Sequence, residues 1–252
     1  MEYLLLALAA FFAAMIDAVV GGGGLIQVPA LFSVLPQQAP ATLLGTNKLS
    51  SIFGTTAAAW SYSKRVTLAW RVALPASLAA LVFAFAGAYT VTHVPPDFLR
   101  KLLPFILVAV GIYTFAKKDF GTTHAPHLSG KKEIIIACLI GAVIGFYDGF
   151  FGPGTGSFLV FLFVRVFSFD FLSASATAKI VNVACNFAAL MWFGYSGHVL
   201  WLIGLMMASC QIAGSMLGSR LAIKHGSVFV RKAFLVVVCL LICKTAYDAF
   251  IK

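Results

Sequence analysis

Three residue pairs in this chain are separated by one constant interval. Asp17 and Asp148, Thr46 and Thr177, and Lys48 and Lys179 each stand 131 residues apart. In the first copy Asp17 leads into four glycines, Gly21, Gly22, Gly23 and Gly24, and then Leu25-Ile26-Gln27-Val28-Pro29. In the second copy Asp148 leads into Gly149-Phe150-Phe151-Gly152-Pro153-Gly154. Trp70 and Trp201, Gly87 and Gly218, and Arg100-Lys101 and Arg231-Lys232 keep the same interval. Matches at a single offset over most of a chain mark an internal duplication. A carboxylate, a glycine break and a lysine therefore occur twice, each time in apolar surroundings.

Those surroundings set the solvent. Of 252 residues 61% are hydrophobic and 10% charged, against about 25% charged in a soluble domain. The mean hydropathy is +0.98. Several apolar runs approach the length that crosses a bilayer, and none shows the period-two alternation of barrel strands. The expected fold is all-α, a polytopic integral membrane protein. The first run, Tyr3 to Val20, lacks a basic leader and has a second copy deep in the chain, so it reads as a mature helix.

Five segments fall in each half. The first five are 3–20, 24–35, 43–62, 70–91 and 98–116; their repeats are 134–151, 155–167, 174–193, 201–222 and 232–251. The domains are a first transmembrane repeat over 1–120, a linker over 121–133 and a second repeat over 134–252, forming one transport unit. The second segment of each repeat spans roughly half of the ~30 Å hydrocarbon core at 1.5 Å per residue. Glycines and Pro153 break the helix before it. The first two segments of each repeat thus read as broken or re-entrant hairpins, which membranes tolerate where the backbone is buried in protein or lines a cavity.

Basic residues set the orientation. The net charge of +10 comes from lysines and arginines at segment ends: Lys64, Arg65 and Arg71; Lys117, Lys118, Lys131 and Lys132; Arg220 and Lys224. The equivalent loop in the second half, Tyr195 to Val199, has none. The positive-inside rule places the two equivalent loops on opposite faces. The repeats are therefore expected to be inverted, with both termini outside and the linker in the cytoplasm; Arg100 and Lys101 on the outer side run against this assignment.

The polar residues inside the segments are few. Lys48 has Ser51 and Thr55 at helical spacing behind it, and Lys179 has Asn182 and Asn186 at the same spacing. Each lysine thus heads a polar stripe. A charge at helix centre costs at least ~2.5–3.5 kcal/mol on insertion scales. Three readings of the lysines stand open: contact with an anion, a packing pair with Asp17 or Asp148, or snorkelling to the headgroups. For an anion, the candidate binding residues are Lys48, Lys179, Asn47, Ser51, Thr55, Asn182, Asn186 and Gln27. Half-helix N-termini opening from the breaks would add positive potential. The hairpin breaks themselves are Asp17 with Gly21, Gly22, Gly23 and Gly24, and Asp148 with Gly152, Pro153 and Gly154. Their carboxylates either cap half-helices, pair with the lysines or carry coupling protons.

Elsewhere Lys244 and Asp248 are four apart, as an intrahelical pair would be, and Arg165 and Asp170 bracket a turn. The five cysteines lie in apolar runs without metal or disulfide spacing. No catalytic pairing, metal motif, cofactor motif or nucleic-acid patch is visible, so no enzyme, cofactor or metal is expected.

Asp17 with Gly21 to Ala30 and Thr46-Asn47-Lys48 resembles the first motif of the sulfite exporter TauE/SafE family of transporters. Gly145 to Phe158 with Lys179 resembles its second. The resemblance spans nearly the whole chain. It implies an inner-membrane permease for sulfite, a sulfonate or another small organic anion. Inverted repeats with broken helices imply alternating access, with the substrate near the midplane and protons as the candidate coupling ion. The rival readings are a channel-like anion pore and a non-transporting membrane scaffold. Membrane lipid is the expected surrounding; the oligomeric state is left open.

Overall fold

The computed structural model describes residues 2–99 and 130–250, with side chains described up to residue 229 except 227. Among the described residues the helices are α1 (Glu2–Val20), α2 (Gly24–Val34), α3 (Pro40–Ser63), α4 (Trp70–Thr92), α5 (Gly130–Phe150), α6 (Thr155–Phe167), α7 (Phe171–Tyr195) and α8 (Trp201–Phe250). The chain is an all-α polytopic membrane protein. Helices α1, α4, α5, α7 and the part of α8 up to Gly226 are long and apolar enough to cross a bilayer. The expected segment 98–116, the pairs Arg100-Lys101 and Lys244–Asp248, and most of the 121–133 linker lie outside the described residues or side chains.

Boundaries shift where a local residue dictates it. Helix α3 starts at Pro40, three residues early, because a proline at the first helical position loses no hydrogen bond there. Helix α5 starts at Gly130 and takes in Lys131 and Lys132 from the expected linker. The last two expected segments run together as α8, interrupted only at Gly226, whose φ of 72° is non-helical. The short α2 and α6, of 11 and 13 residues, cover about 17 Å and about 20 Å at 1.5 Å per residue. Neither is long enough to cross the ~30 Å hydrocarbon core.

The most extensive helix pairings run between the two repeats. Helix α1 packs along α8, and α4 along α5, so each outer helix of one repeat lies on the other repeat; α3 packs against both α7 and α8. Lipid is as apolar as leucine, so such seams depend on close van der Waals approach between small residues. On α5, Gly141, Gly145 and Gly149 recur every four residues and face Ala76, Ala80 and Ala84 of α4. A methyl group on Gly145 would lie 2.7 Å from Ala80 Cα, inside contact distance. Across the molecule, Gly214 and Gly218 of α8 lie against the carbonyls of Phe11 and Met15 on α1. Large side chains such as Leu78, Val82, Leu139, Val143 and Leu202 point outward instead.

Candidate substrate site at the paired helix breaks

The breaks form where α1 and α5 must stop. At the equivalent positions Gly21 and Gly152 the backbone takes φ of +83° and +94°, a conformation that costs glycine little. The two breaks then cross in contact. A methyl group on Gly21 would lie 2.3 Å from the Gly156 carbonyl carbon. The Ser157 N–H donates to Gly21 O at 2.8 Å, which ties α6 of one repeat to the break of the other.

A helix that ends in the interior leaves four carbonyls without intrahelical partners. At the end of α1 the Asp17 carbonyl still accepts from Gly21 N at 2.8 Å, and it and the three carbonyls after it each receive a side-chain donor. Lys179 donates to Asp17 O, Tyr62 Oη to Ala18 O at 2.8 Å, Ser175 Oγ to Val19 O at 3.3 Å and Ser157 Oγ to Val20 O at 3.0 Å. This explains why a polar group sits at each of these four buried positions.

The charged residues meet in crossed pairs. Lys48 of α3 pairs with Asp148 of α5, and Lys179 of α7 pairs with Asp17 of α1 at 2.7 Å. Each lysine takes the carboxylate of the other repeat. Reciprocal contacts of this kind are what a two-fold relation between copies produces. Thr55 and Asn186, also 131 apart, bond to each other at 3.3 Å and so mark that axis. Both lysines are buried, at 2% and 0% exposure, and neither snorkels. A buried pair of this kind is costly to break, because the remaining charge is left uncompensated.

Between the breaks lies a small cavity with about 30 Å³ open to water centres. It is lined by both carboxylates, Lys48, Asn47, Ser51, Thr55, Asn182 and Asn186, and by backbone of both breaks. Six of the eight binding candidates therefore come together at one chamber. Lys179 and Gln27 are buried beside it but do not line it, and Gly22 and Pro153 also stand back. Gln27 is engaged elsewhere: Gln211 of α8 donates to its Oε1, and its Nε2 donates to Ser50 Oγ. Gln211 itself lines the cavity. The sequence reading missed it because its counterpart 131 residues earlier is Ala80, so the duplication carries no signal there.

The lining is polar and under-bonded. Ser51 and Asn182, equivalent by the repeat, make no hydrogen bond with any described residue. Asn47 is 4% exposed, and its buried Oδ1 has no partner among the described residues. Buried polar groups are seldom left so. The N-termini of α2 and α6 open on the same space through Gly23, Gly24, Gly154 and Thr155, so partial positive charge converges there.

Short helices entered through buried breaks, with a polar chamber at their ends lined by both copies, are features of membrane transporters built on broken-helix repeats. Residues 6–245 match the family described as sulfite exporter TauE/SafE, and the chain belongs to it. A probable membrane transporter protein, ORF9, of a Sinorhizobium species is 38% identical over 230 residues, covering 91% of this chain and 86% of that protein. YfcA of Escherichia coli strain K12, also a probable membrane transporter protein, is 33% identical over 95% of this chain and 88% of its own. A Haemophilus influenzae protein of the same description is 31% identical, with 94% and 92% covered. No solved structure matches the chain.

Proposed function

We propose that this protein is a secondary transporter that carries a small anion, sulfite, a sulfonate or a related organosulfur or organic anion, across the cytoplasmic membrane by alternating access. The observation that carries this reading is the set of donors in the cavity without a partner among the described residues, the Ser51 hydroxyl and the Asn182 amide N–H groups, beside two half-helix N-termini and the Lys48 ammonium; the Asn47 amide N–H groups join them once its side chain turns to the anion. Hydroxyls, amide N–H groups, helix N-termini and an ammonium are the donors that hold an oxyanion. The substrate class follows the family's description. The inner membrane is what the family resemblance implies; the distribution of lysine and arginine supports inverted repeats and outward termini, and protons are the proposed coupling ion.

The site as described is neutral, with two lysines matched by two aspartates. An anion therefore competes with a carboxylate for Lys48, and its amide contacts help to offset that competition. The test is uptake of labelled sulfite and sulfoacetate into vesicles containing purified protein. Asn182→Ala and Lys48→Gln should each lower uptake at least tenfold while the protein stays folded and monodisperse. Unchanged uptake in both variants would remove the cavity as the anion site. Counterflow should be saturable; ohmic conductance would instead make the protein a pore.

A further inference from the structure

The duplicated breaks look alike in sequence but are bonded very differently. At the first break Asp17 is held on every side. Its Oδ2 accepts from Lys179 at 2.7 Å, its Oδ1 from Gly23 N at 3.3 Å, and Lys179 donates to its backbone carbonyl as well. Tyr62, Ser175 and Ser157 close the neighbouring carbonyls. At the second break the residues equivalent to those three are Phe193, Leu44 and Ile26, which have no side-chain donor. Asp148 has one hydrogen-bond partner among the described residues, Lys48, and Lys48 likewise has only Asp148. Both of these line the cavity, whereas Lys179 does not.

Resting on the transporter reading above, we infer that the two pairs have separate jobs. Asp17–Lys179 is a fixed lock on the first break. Asp148 is the coupling carboxylate: it takes up a proton when Lys48 passes to the anion. The balance is simple. The carboxylate of Asp148 accepts one proton and becomes a carboxylic acid; Lys48 stays an ammonium and exchanges its carboxylate partner for a monovalent anion. Total charge in the site is unchanged, so one proton moves with each monovalent anion.

Burial drives this exchange. Asp148 is 2% exposed, and a buried carboxylate that loses its counterion favours the neutral form. The described residues around it supply no substitute cation. Helix α4 presents Ala76, Ala80, Ala84 and Gly87 to α5; α7 brings the Cys185 thiol within electrostatic range; α5 itself brings Tyr147, whose hydroxyl is engaged with Pro153 O. Across the cavity stands Asp17, already neutralised by Lys179. Asp17 also borders the cavity and its side chain is 16% exposed, but its partner Lys179 does not line the cavity, so an anion there does not reach that ammonium.

The experiment uses the full chain in vesicles with an entrapped pH dye, offering sulfite, sulfoacetate and methanesulfonate separately; the proton count is taken on whichever is carried. Wild type should take up one proton per anion carried, whatever the anion's charge, because Asp148 is the one carboxylate set free. Its apparent affinity for an anion of fixed charge should fall about tenfold per pH unit on the alkaline side, as one linked proton requires. Asp148→Asn should bind and exchange anion with no pH slope and no proton movement. Asp17→Asn should lower thermal stability while the remaining folded protein keeps the wild-type slope. A wild-type slope in Asp148→Asn, a lost slope in Asp17→Asn, or wild-type uptake without protons overturns the inference and leaves the transporter reading standing. If wild type carries none of the three anions, the transporter reading falls and the inference falls with it. If Asp148→Asn does not fold, the wild-type proton count decides alone.

Discussion

The lock at the first break can be weighed by a double-mutant cycle on Asp17 and Lys179. Lys179 is fully buried, and its ammonium bonds both the carboxylate and the carbonyl of Asp17. Replacing Asp17 by Asn leaves that ammonium without a counter-charge, which costs about 3–5 kcal/mol for a buried pair. Partial exposure of Asp17 on the cavity side favours the lower end. Replacing Lys179 by Met strands the carboxylate with one backbone N–H, at about 3 kcal/mol. The double variant has no buried charge, and Asp17 O still accepts from Gly21 N at 2.8 Å. Its cost should be about 3 kcal/mol or less, so the coupling energy is about 3 kcal/mol, at the upper end for residues in contact. That is roughly a hundredfold in the folded ratio. SDS titration of detergent-solubilised protein, followed by tryptophan fluorescence, measures all four corners. Additive single effects, with coupling below about 0.5 kcal/mol, would refute the claim that this pair closes the break.

Two further outcomes follow from the packing. Gly145→Ala should separate α4 from α5 and cost about 1–3 kcal/mol, while Val143→Ala, at a 67% exposed position facing outward on the same helix, should change stability by no more than about 0.5 kcal/mol; equal effects in the same unfolding assay would contradict the seam. Tyr62→Phe keeps the ring but removes the donor to Ala18 O, and should cost about 1–3 kcal/mol for the orphaned carbonyl; a neutral result would mean that the end of α1 does not depend on its hydroxyl partners.

Much of this was readable before any coordinates. Apolar runs force helices in a membrane, and a constant 131-residue interval reveals two copies. The glycines place the breaks, and helical spacing lines up Lys48 with Ser51 and Thr55. Pairing was not readable. Whether Lys48 meets Asp17 or Asp148 depends on how the repeats interlock, and no local pattern encodes that the partner lies in the other copy. The seam was partly visible: Gly141, Gly145 and Gly149 are spaced by four, but their counterparts Ala10, Ala14 and Ala18 hide the motif in the first copy. Gln211 was invisible for a related reason. Its role belongs to one copy only, and a search for repeated features discards such residues.

Those unrepeated residues bear on how the transporter would cycle. In a two-fold related pair of inverted repeats, the outward-open and inward-open forms can be generated by letting the two copies exchange conformations. Symmetry alone would make the two forms equal in energy. In this chain the unrepeated bonds would make them unequal. The chain of hydrogen bonds from Gln211 through Gln27 to Ser50 and on to Asn47 O has apolar counterparts, Ala80, Phe158 and Val181, and the three hydroxyl donors that close the first break have apolar counterparts in the second. An exchange of conformations would therefore open bonds in the first copy that the second cannot replace, each worth about 1–3 kcal/mol if left buried and unsatisfied. A ligand can move such an equilibrium only by the difference in its affinity for the two forms. On the proposed alternating-access cycle, anion and proton would have to bind the less favoured form more tightly, and the carboxylate that takes the proton would lie at the break with fewer fixed bonds. Asp148 stands at that break.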